Sequence, residues 1–555
     1  MNNYIKVLLL FFITGTVYAQ ESYENGVVVS AHPEASKVGI NILKNNGNAI
    51  DASVAVQFTL AVVYPNAGNI GGGGFLIYRD NKGNVDALDY REKAPLAAKE
   101  DMYWDKDGDV ITDLSLYGQL AAGVPGTVDG MVKAYQRYGK LTWFELVQPA
   151  IELAENGFPL TKMQANELNN KFNDFKKYNQ FINPFTLKND WKEGDLFIQK
   201  NLAKTLKLIQ EKGRDGFYKG KVADLIVAEM KRGNGIITKK DLKDYHSVWR
   251  TPVTGMYKDF KVISMPPPSS GGIALISLFQ SVEKFPLNEW GFQSEKTIQA
   301  MVEAERRVYA DRAEHLGDPD FINVPQNQLL NKDYNVNRMN DFSFDRASKS
   351  SEIKAGKILG KESMETTHYS IVDKEGNAVS VTTTLNGSYG SLVVVEGAGF
   401  LLNNEMDDFS VKPGVPNMYG LVGGKANAIE PSKRMLSSMT PTILEKDGNL
   451  YMVVGTPGGS TIITSVFQSI LNVLEFGMTM QEAVDAPRFH HQWLPDRVDV
   501  EPNAISNLVK EVLGKKGYEF KERKPYGRVE GILVNVDGTY QAGADSRGDD
   551  KAIGY

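Results

Sequence analysis

The sequence predicts an α/β protein in which layered sheets are covered by helices. Three hairpins, and the apolar helices around them, predict it. The first runs Thr366-Thr367-His368-Tyr369-Ser370-Ile371-Val372, turns at Asp373-Lys374-Glu375-Gly376-Asn377, and returns over residues 378–386. The second spans residues 442–455 and turns at Asp447-Gly448; the third spans 529–543 and turns at Asp537-Gly538. Strands that arrive in hairpins with helices before and between them bury their faces as stacked sheets under helices. No internal repeat is visible.

In chain order, the first 19 residues read as a secretory leader. Lys6 supplies a positive charge, residues 7–13 are apolar, and Val17-Tyr18-Ala19 is a small-x-small cleavage site. The mature chain is expected to start near Gln20 and to be exported, either periplasmic or secreted. No Cys follows the apolar run, which excludes a lipid anchor on Cys. No other stretch approaches the ~20 apolar residues that cross a bilayer.

Composition fits a folded chain: 42% hydrophobic and 23% charged. A net charge of −6 over 555 residues argues against a nucleic-acid partner. Cys is absent, so neither disulfides nor a Cys nucleophile is available. None of the six His lies in a metal-ligand spacing. A chain this long forms more than one domain or one large layered core.

Residues 35–43 read as a helix stopped at Asn45-Asn46-Gly47, and residues 49–56 start a second helix rich in small residues. Gly71-Gly72-Gly73-Gly74 precedes a strand. No Lys-Ser/Thr follows and the order is loop to strand, so tight backbone packing near a site is expected rather than a phosphate loop. Asp89-Tyr90-Arg91-Glu92-Lys93-Ala94-Pro95 puts an arginine at a strand end. Asp105-Lys106-Asp107-Gly108-Asp109 lacks the Gly placement and final Glu of a calcium loop and reads as a hairpin turn. Residues 127–250 are mostly helical, with 127–138, 143–156, 202–212 and 222–232 at helical spacing. Residues 171–195 show no clear period and are expected to be an irregular surface excursion. Pro266-Pro267-Pro268-Ser269-Ser270-Gly271-Gly272 is a loop leading into an apolar helix over 273–282, and 294–316 is a charged helix. Residues 331–362 are the most polar stretch before the first hairpin and are expected to be exposed and mobile, where a chain tolerates cutting. Residues 413–424, with two Pro and four Gly, form a loop around Tyr419. Residues 462–476 form a buried helix stopped by Gly477.

On its own, the first hairpin is an ordinary surface hairpin. As chemistry it offers Thr366. A Thr hydroxyl is a poor nucleophile without a base. His368 lies on the same face of the strand, but adjacent strand positions rarely reach the needed geometry. Cleavage between Glu365 and Thr366 would free an α-amino group of pKa roughly 7.7–8, which accepts a proton near neutrality.

Several motifs agree in order with one family. Thr366-Thr367-His368-Tyr369-Ser370, Thr384-Leu385-Asn386, Leu402-Asn403-Asn404-Glu405-Met406-Asp407-Asp408-Phe409, Lys412-Pro413-Gly414-Val415-Pro416-Asn417, Leu436-Ser437-Ser438-Met439, Gly458-Gly459-Ser460 and Ala486-Pro487-Arg488-Phe489-His490-His491 resemble the γ-glutamyltranspeptidases. Gly71–Phe75, Asp89–Pro95 and Gly123-Val124-Pro125-Gly126 match them too. The resemblance covers essentially the whole mature chain. It implies an N-terminal-nucleophile hydrolase, an αββα sandwich built from both processed subunits: a large one over 20–365 and a small one over 366–555 that stay together as a heterodimer. Thr366 would cut its own chain and then attack the γ-carbonyl of a γ-glutamyl donor such as glutathione. Water, an amino acid or a peptide would take the acyl group.

The same resemblance implies the other roles. Thr384 would orient the nucleophile, and Gly458 and Gly459 would form the oxyanion hole. Arg91, Ser437 and Ser438 would hold the substrate's α-carboxylate. Asn386, Glu405 and Asp408 would hold its α-ammonium, and Tyr419 would sit in a lid. Some family members carry Gln where Glu405 stands; either side chain accepts from an ammonium. His490 and His491 read as structural. No cofactor, metal or stable membrane anchor is implied. Two alternatives stand beside this reading. One is a related acylase acting on an amide such as a β-lactam side chain, against which Arg91 and Asp408 argue. The other is an uncleaved, non-catalytic binding member, against which Thr366 and the glycine pair argue.

Overall fold

Two seven-stranded antiparallel sheets lie face to face in the computed structural model, which describes residues 21–354, 366–412, 415 and 424–555. The leader, Glu365 and Tyr419 lie outside the described residues. One sheet has the order Lys551–Gly554, Val27–Ser30, Thr367–Val372, Ala378–Thr384, Gly73–Arg79, Val85–Asp89, Val248–Arg250. The other runs Ser22–Tyr23, Tyr540–Ala544, Glu530–Val534, Asn449–Gly455, Thr442–Lys446, Phe260–Ser264, Val253–Tyr257. All three predicted hairpins are present. Both sheets combine strands from before and after position 366.

The strand Thr367–Val372 shows how four layers arise from a two-residue period. Tyr369 and Ile371 point outward into a core shared with the helix Ala49–Val63. That helix is buried on every side, which its near-continuous apolar and small residues allow. His368 and Ser370 point inward, between the sheets. Ser370 Oγ donates to Glu530 O at 3.0 Å, and Ser380 Oγ donates to Val454 O at 3.2 Å. The outer face of the second sheet is covered by the helices Gly271–Val282 and Thr461–Leu474. The order is helix, sheet, sheet, helix.

Two expectations need correction. Residues 171–178 belong to the helix Lys162–Tyr178, and the stretch after it is anchored by buried Phe185 and Trp191 rather than lying loose on the surface. Its helix turns few apolar side chains inward, chiefly Ala165, Leu168 and Phe175, so the period is faint. Residues 331–354 are exposed over about half their length, as expected, but they are tethered to buried groups rather than free. Arg307, buried on the helix Glu295–His315, pairs with Asp341 at 2.7 Å, and Trp493 Nε1 donates to Ser350 O at 2.9 Å. The polar composition that suggested mobility is engaged by buried arginines. Residues 355–365 lie outside the described residues.

Candidate active site

Continuing the pairing Thr367↔Thr383 by one residue sets Thr366 opposite Thr384. Both have the parity of His368, so they face between the sheets at the hairpin's open end. Thr384 Oγ1 accepts from Asn386 N at 2.7 Å. Asn386 takes a left-handed backbone, φ 72°, which Asn tolerates better than most residues and which turns the chain off the sheet. Its Nδ2 donates to Asn404 O at 3.0 Å.

The glycine turn packs against this end. A Cβ on Gly72 would lie 2.1 Å from Thr384 O, and one on Gly71 would lie 2.1 Å from Leu401 O. Asn403 ties the parts together: its Nδ2 donates to Gly71 O and to Gly123 O, each at 2.8 Å, and its Oδ1 accepts from Gly123 N at 2.9 Å. The Gly123 motif thus serves the site through the backbone.

Thr366, Thr384, Asn386, Arg91, Asp408, Ser437, Ser438 and Gly459 line one cavity. Glu405 stands behind Arg91, fully buried and outside the cavity wall. Arg91 follows the strand Val85–Asp89, and its main-chain N donates to Asp89 Oδ1 at 2.9 Å. Its guanidinium meets Glu405 at 2.5 Å, Asp408 closely, and Glu92 at 3.5 Å, and also donates to Leu436 O at 3.3 Å. Three carboxyl groups therefore surround one cation. Burial pushes Glu92 up to about 8 against the pull of Arg91. Burial likewise holds Glu405 well above the usual carboxylate range and raises Asp408, again with Arg91 opposing. Desolvation outweighs the pairing with Arg91 at all three carboxyl groups.

Ser437 and Ser438 are held by the proline-rich loop. Ser437 N donates to Pro268 O at 3.0 Å, and Ser437 O accepts from Ser270 Oγ at 2.7 Å. Arg312 reaches in from the helix Glu295–His315: Nη2 donates to Ser438 Oγ at 2.9 Å and Nε to Ser270 Oγ at 2.8 Å. Gly458 and Gly459 lie just ahead of the helix Thr461–Leu474, with φ of 139° and 57°. The angle at Gly458 suits glycine alone and that at Gly459 favours it, and a Cβ on Gly458 would meet Thr461 Oγ1 at 2.6 Å. Among the described residues neither glycine N–H has a backbone acceptor.

His368 does not reach this chemistry. It is buried between Thr382 Oγ1 at 2.9 Å and Ser370 Oγ at 3.1 Å, and burial pushes it down to about 3. His490 and His491 are buried as well, and no group of His, Asp and Glu suited to a metal occurs among the described residues. Sequence reading passed over Arg312, Asn427 and Glu92. Asn427 lines the cavity, donating to Asp408 O at 2.7 Å and accepting from Leu436 N at 2.9 Å. Glu92 was inside a quoted motif; Arg312 had no signal beyond its place on a charged helix.

Comparison with known proteins agrees with this geometry. A model of the γ-glutamyltranspeptidase family matches residues 35–555. The glutathione hydrolase proenzyme of Escherichia coli K12 is 46% identical over 542 residues, covering 96% of this chain and 92% of the relative. A Helicobacter pylori γ-glutamyltranspeptidase structure is 47% identical, covering 59% of this chain and 94% of its own, with a TM-score of 0.57. A cephalosporin acylase from Bacillus halodurans is 25% identical but aligns over 99% of both chains with a TM-score of 0.85. With its helix–sheet–sheet–helix layers of the N-terminal-nucleophile hydrolases, the chain belongs to the γ-glutamyltranspeptidase family.

Proposed function

We propose that this enzyme is a self-processing γ-glutamyl acyltransferase and glutathione hydrolase whose nucleophile is Thr366. The observation that carries the reading is one cavity holding Thr366 and Gly459 together with Arg91, Asp408, Ser437 and Ser438. It sets a hydroxyl beside groups complementary to a free amino-acid end.

In maturation the Thr366 hydroxyl attacks the carbonyl of Glu365; the C–N bond breaks as the ester forms, which frees the α-amine, and water then cleaves the ester to release the Glu365 carboxylate and the Thr366 hydroxyl. The interleaved strands keep residues 20–365 and 366–555 together after the cut. In turnover the α-amine takes the hydroxyl proton as Oγ attacks the γ-carbonyl. The N–H groups of Gly458 and Gly459 meet the oxyanion, a contact worth ~2.7–4 kcal/mol per donor. The leaving amine takes the proton, and water, an amino acid or a peptide resolves the ester. Thr384 orients Thr366. Arg91 and the two serines hold the α-carboxylate, while Asn386 and Asp408 hold the α-ammonium; Glu405, expected beside them, acts from behind Arg91. Tyr419 acts as a lid over the pocket. Export through the leader is part of the proposal; among the described residues no helix is long and apolar enough to cross a membrane.

The titration of the carboxyl cluster makes a test. A bound ammonium favours ionised carboxylates, so donor binding expels a proton that burial holds on the free enzyme. KM for a γ-glutamyl anilide is therefore expected to fall as pH rises through the titration of Asp408, which burial raises above the usual carboxylate range. The slope is up to about tenfold per pH unit for each proton released. A glutaryl anilide, which lacks the amino group, should react at least about 100-fold less efficiently and show no such fall. Equal efficiency for the two donors would favour the acylase reading, to which the likeness with the cephalosporin acylase lends its fold.

A further inference from the structure

Ser460, the residue after the glycine pair, is fastened from three sides. Its hydroxyl donates to Gln492 Oε1 at 2.7 Å. Gln492 Nε2 donates to Leu494 O at 3.2 Å, which fixes the amide with its oxygen toward Ser460. The same oxygen lies 2.8 Å from His490 Nε2, and His490 Nδ1 lies 2.8 Å from Thr464 Oγ1. An oxygen at Gln492 requires the proton on His490 Nε2, which also lies 3.3 Å from Ser460 Oγ, and leaves Nδ1 an acceptor that shares the one Thr464 hydroxyl proton with Thr461 O at 3.1 Å. Thr464 is in the first turn of the helix that the glycine pair opens. Tyr309 OH donates to the Ser460 carbonyl, and its ring meets the His490 ring edge-on at 5.6 Å. The main chain of Phe489 is clamped to the same helix, Gln468 Nε2 donating to Phe489 O at 2.6 Å.

We propose that His490 is a positioning residue for the reaction: through Gln492 it fixes the Ser460 hydroxyl, and with it the Gly459 peptide that faces the developing oxyanion. This rests on the oxyanion reading of Gly458 and Gly459. Two glycines with left-handed φ can rotate as no other residues can. An oxyanion hole acts only if its donors are aligned before charge develops. The freedom that lets this backbone approach the reacting carbonyl must therefore be removed by its neighbours. Ser460 is the first residue after the pair with a side chain to hold, and all of its holders are buried. Burial pushes His490 down to about 3, so the ring keeps one neutral tautomer throughout the working range and never competes as a base.

The test uses the processed heterodimer. His490→Phe keeps the ring's bulk and deletes its contacts with Gln492, Thr464 and Ser460, and Ser460→Ala removes only the hydroxyl. Each is expected to lower kcat for a γ-glutamyl anilide by about 10- to 100-fold, less than loss of a direct donor. KM and the inhibition constant of glutamate should stay within about twofold. An amino acid bearing a γ-boronic acid, which becomes tetrahedral on the nucleophile, should lose affinity by the same factor as kcat. The double variant should be no slower than His490→Phe, because both act through one contact, and His490→Gln, which can donate and accept, should recover part of the rate. Wild-type kcat in Ser460→Ala, or glutamate affinity lost in step with kcat, would overturn the proposal; Ser460→Ala decides alone if His490→Phe does not fold. A wild-type enzyme that binds the boronic acid no better than glutamate would instead overturn the oxyanion reading itself.

Discussion

Thr366→Ala is expected to accumulate as one uncut chain and to lose γ-glutamyl transfer by at least about 10⁴-fold. The size of the effect follows from a double role. In the proposed mechanism the hydroxyl both cuts the chain and carries the acyl, and the α-amine that would serve as its base exists only after the cut. No neighbour can stand in. His368 is the nearest imidazole by sequence, but it is sealed between Thr382 and Ser370 and held neutral by burial. Thr384 Oγ1 is engaged by Asn386 N, and no Cys exists in the chain. Thr366→Ser keeps hydroxyl and amine, so it should still process and turn over, more slowly. Electrophoresis of the purified variants and an anilide assay read both outcomes. An active, processed Thr366→Ala would remove Thr366 from the mechanism.

Arg91→Ala has the second largest expected effect, and it acts on binding and stability together. Arg91 is buried and is the cation that Glu92, Glu405 and Asp408 share. Removing one partner of a buried ion pair costs ~3–5 kcal/mol, because the other charge stays behind unpaired. KM for a γ-glutamyl donor should rise by at least about 100-fold, since a two-pronged donor to the α-carboxylate is lost as well. The sign of the pH dependence is fixed. Carboxyl groups whose folded pKa lies above the unfolded value contribute stability while protonated and lose it as pH rises through the folded pKa. Burial already raises all three, and without Arg91 nothing opposes it as strongly. The variant should therefore be closer to wild-type stability in mild acid than above the Glu92 value of about 8. Arg91→Lys restores a charge but not the fork, so it should regain stability more than affinity. An unchanged KM in folded Arg91→Ala would turn the reading toward an acylase.

Much of this was legible in the sequence because local signals and global fold agree. The three hairpins carry their own turns, Asp373–Asn377, Asp447-Gly448 and Asp537-Gly538, and each forms where its turn residues put it. Glycines that read as tight packing prove to be so: Gly71 and Gly72 lie against the backbone of Leu401 and Thr384. What was not legible is long-range. The C-terminal strand Lys551–Gly554 beside Val27–Ser30 has nothing local to announce it. The same holds for Arg312, which enters the site from a helix whose sequence is merely charged, and for Asn427, which joins Asp408, 19 residues before it, to Leu436, 9 residues after it. Residues 331–354 are exposed over much of their length, as their polarity suggests; what polarity could not show is that Asp341 and Ser350 meet buried arginines supplied by another helix. Periodicity describes what an element does with its own faces; it is silent on which distant side chain comes to meet it.

The most direct test of the central claim is the mass of acid-quenched enzyme during turnover of a γ-glutamyl donor, with the modified peptide mapped. Two fragments are predicted, the shorter beginning at Thr366, with part of that fragment heavier by one γ-glutamyl group carried on its first residue. A single uncut chain that still turns over the donor, or an acyl group carried on any other residue, would contradict it.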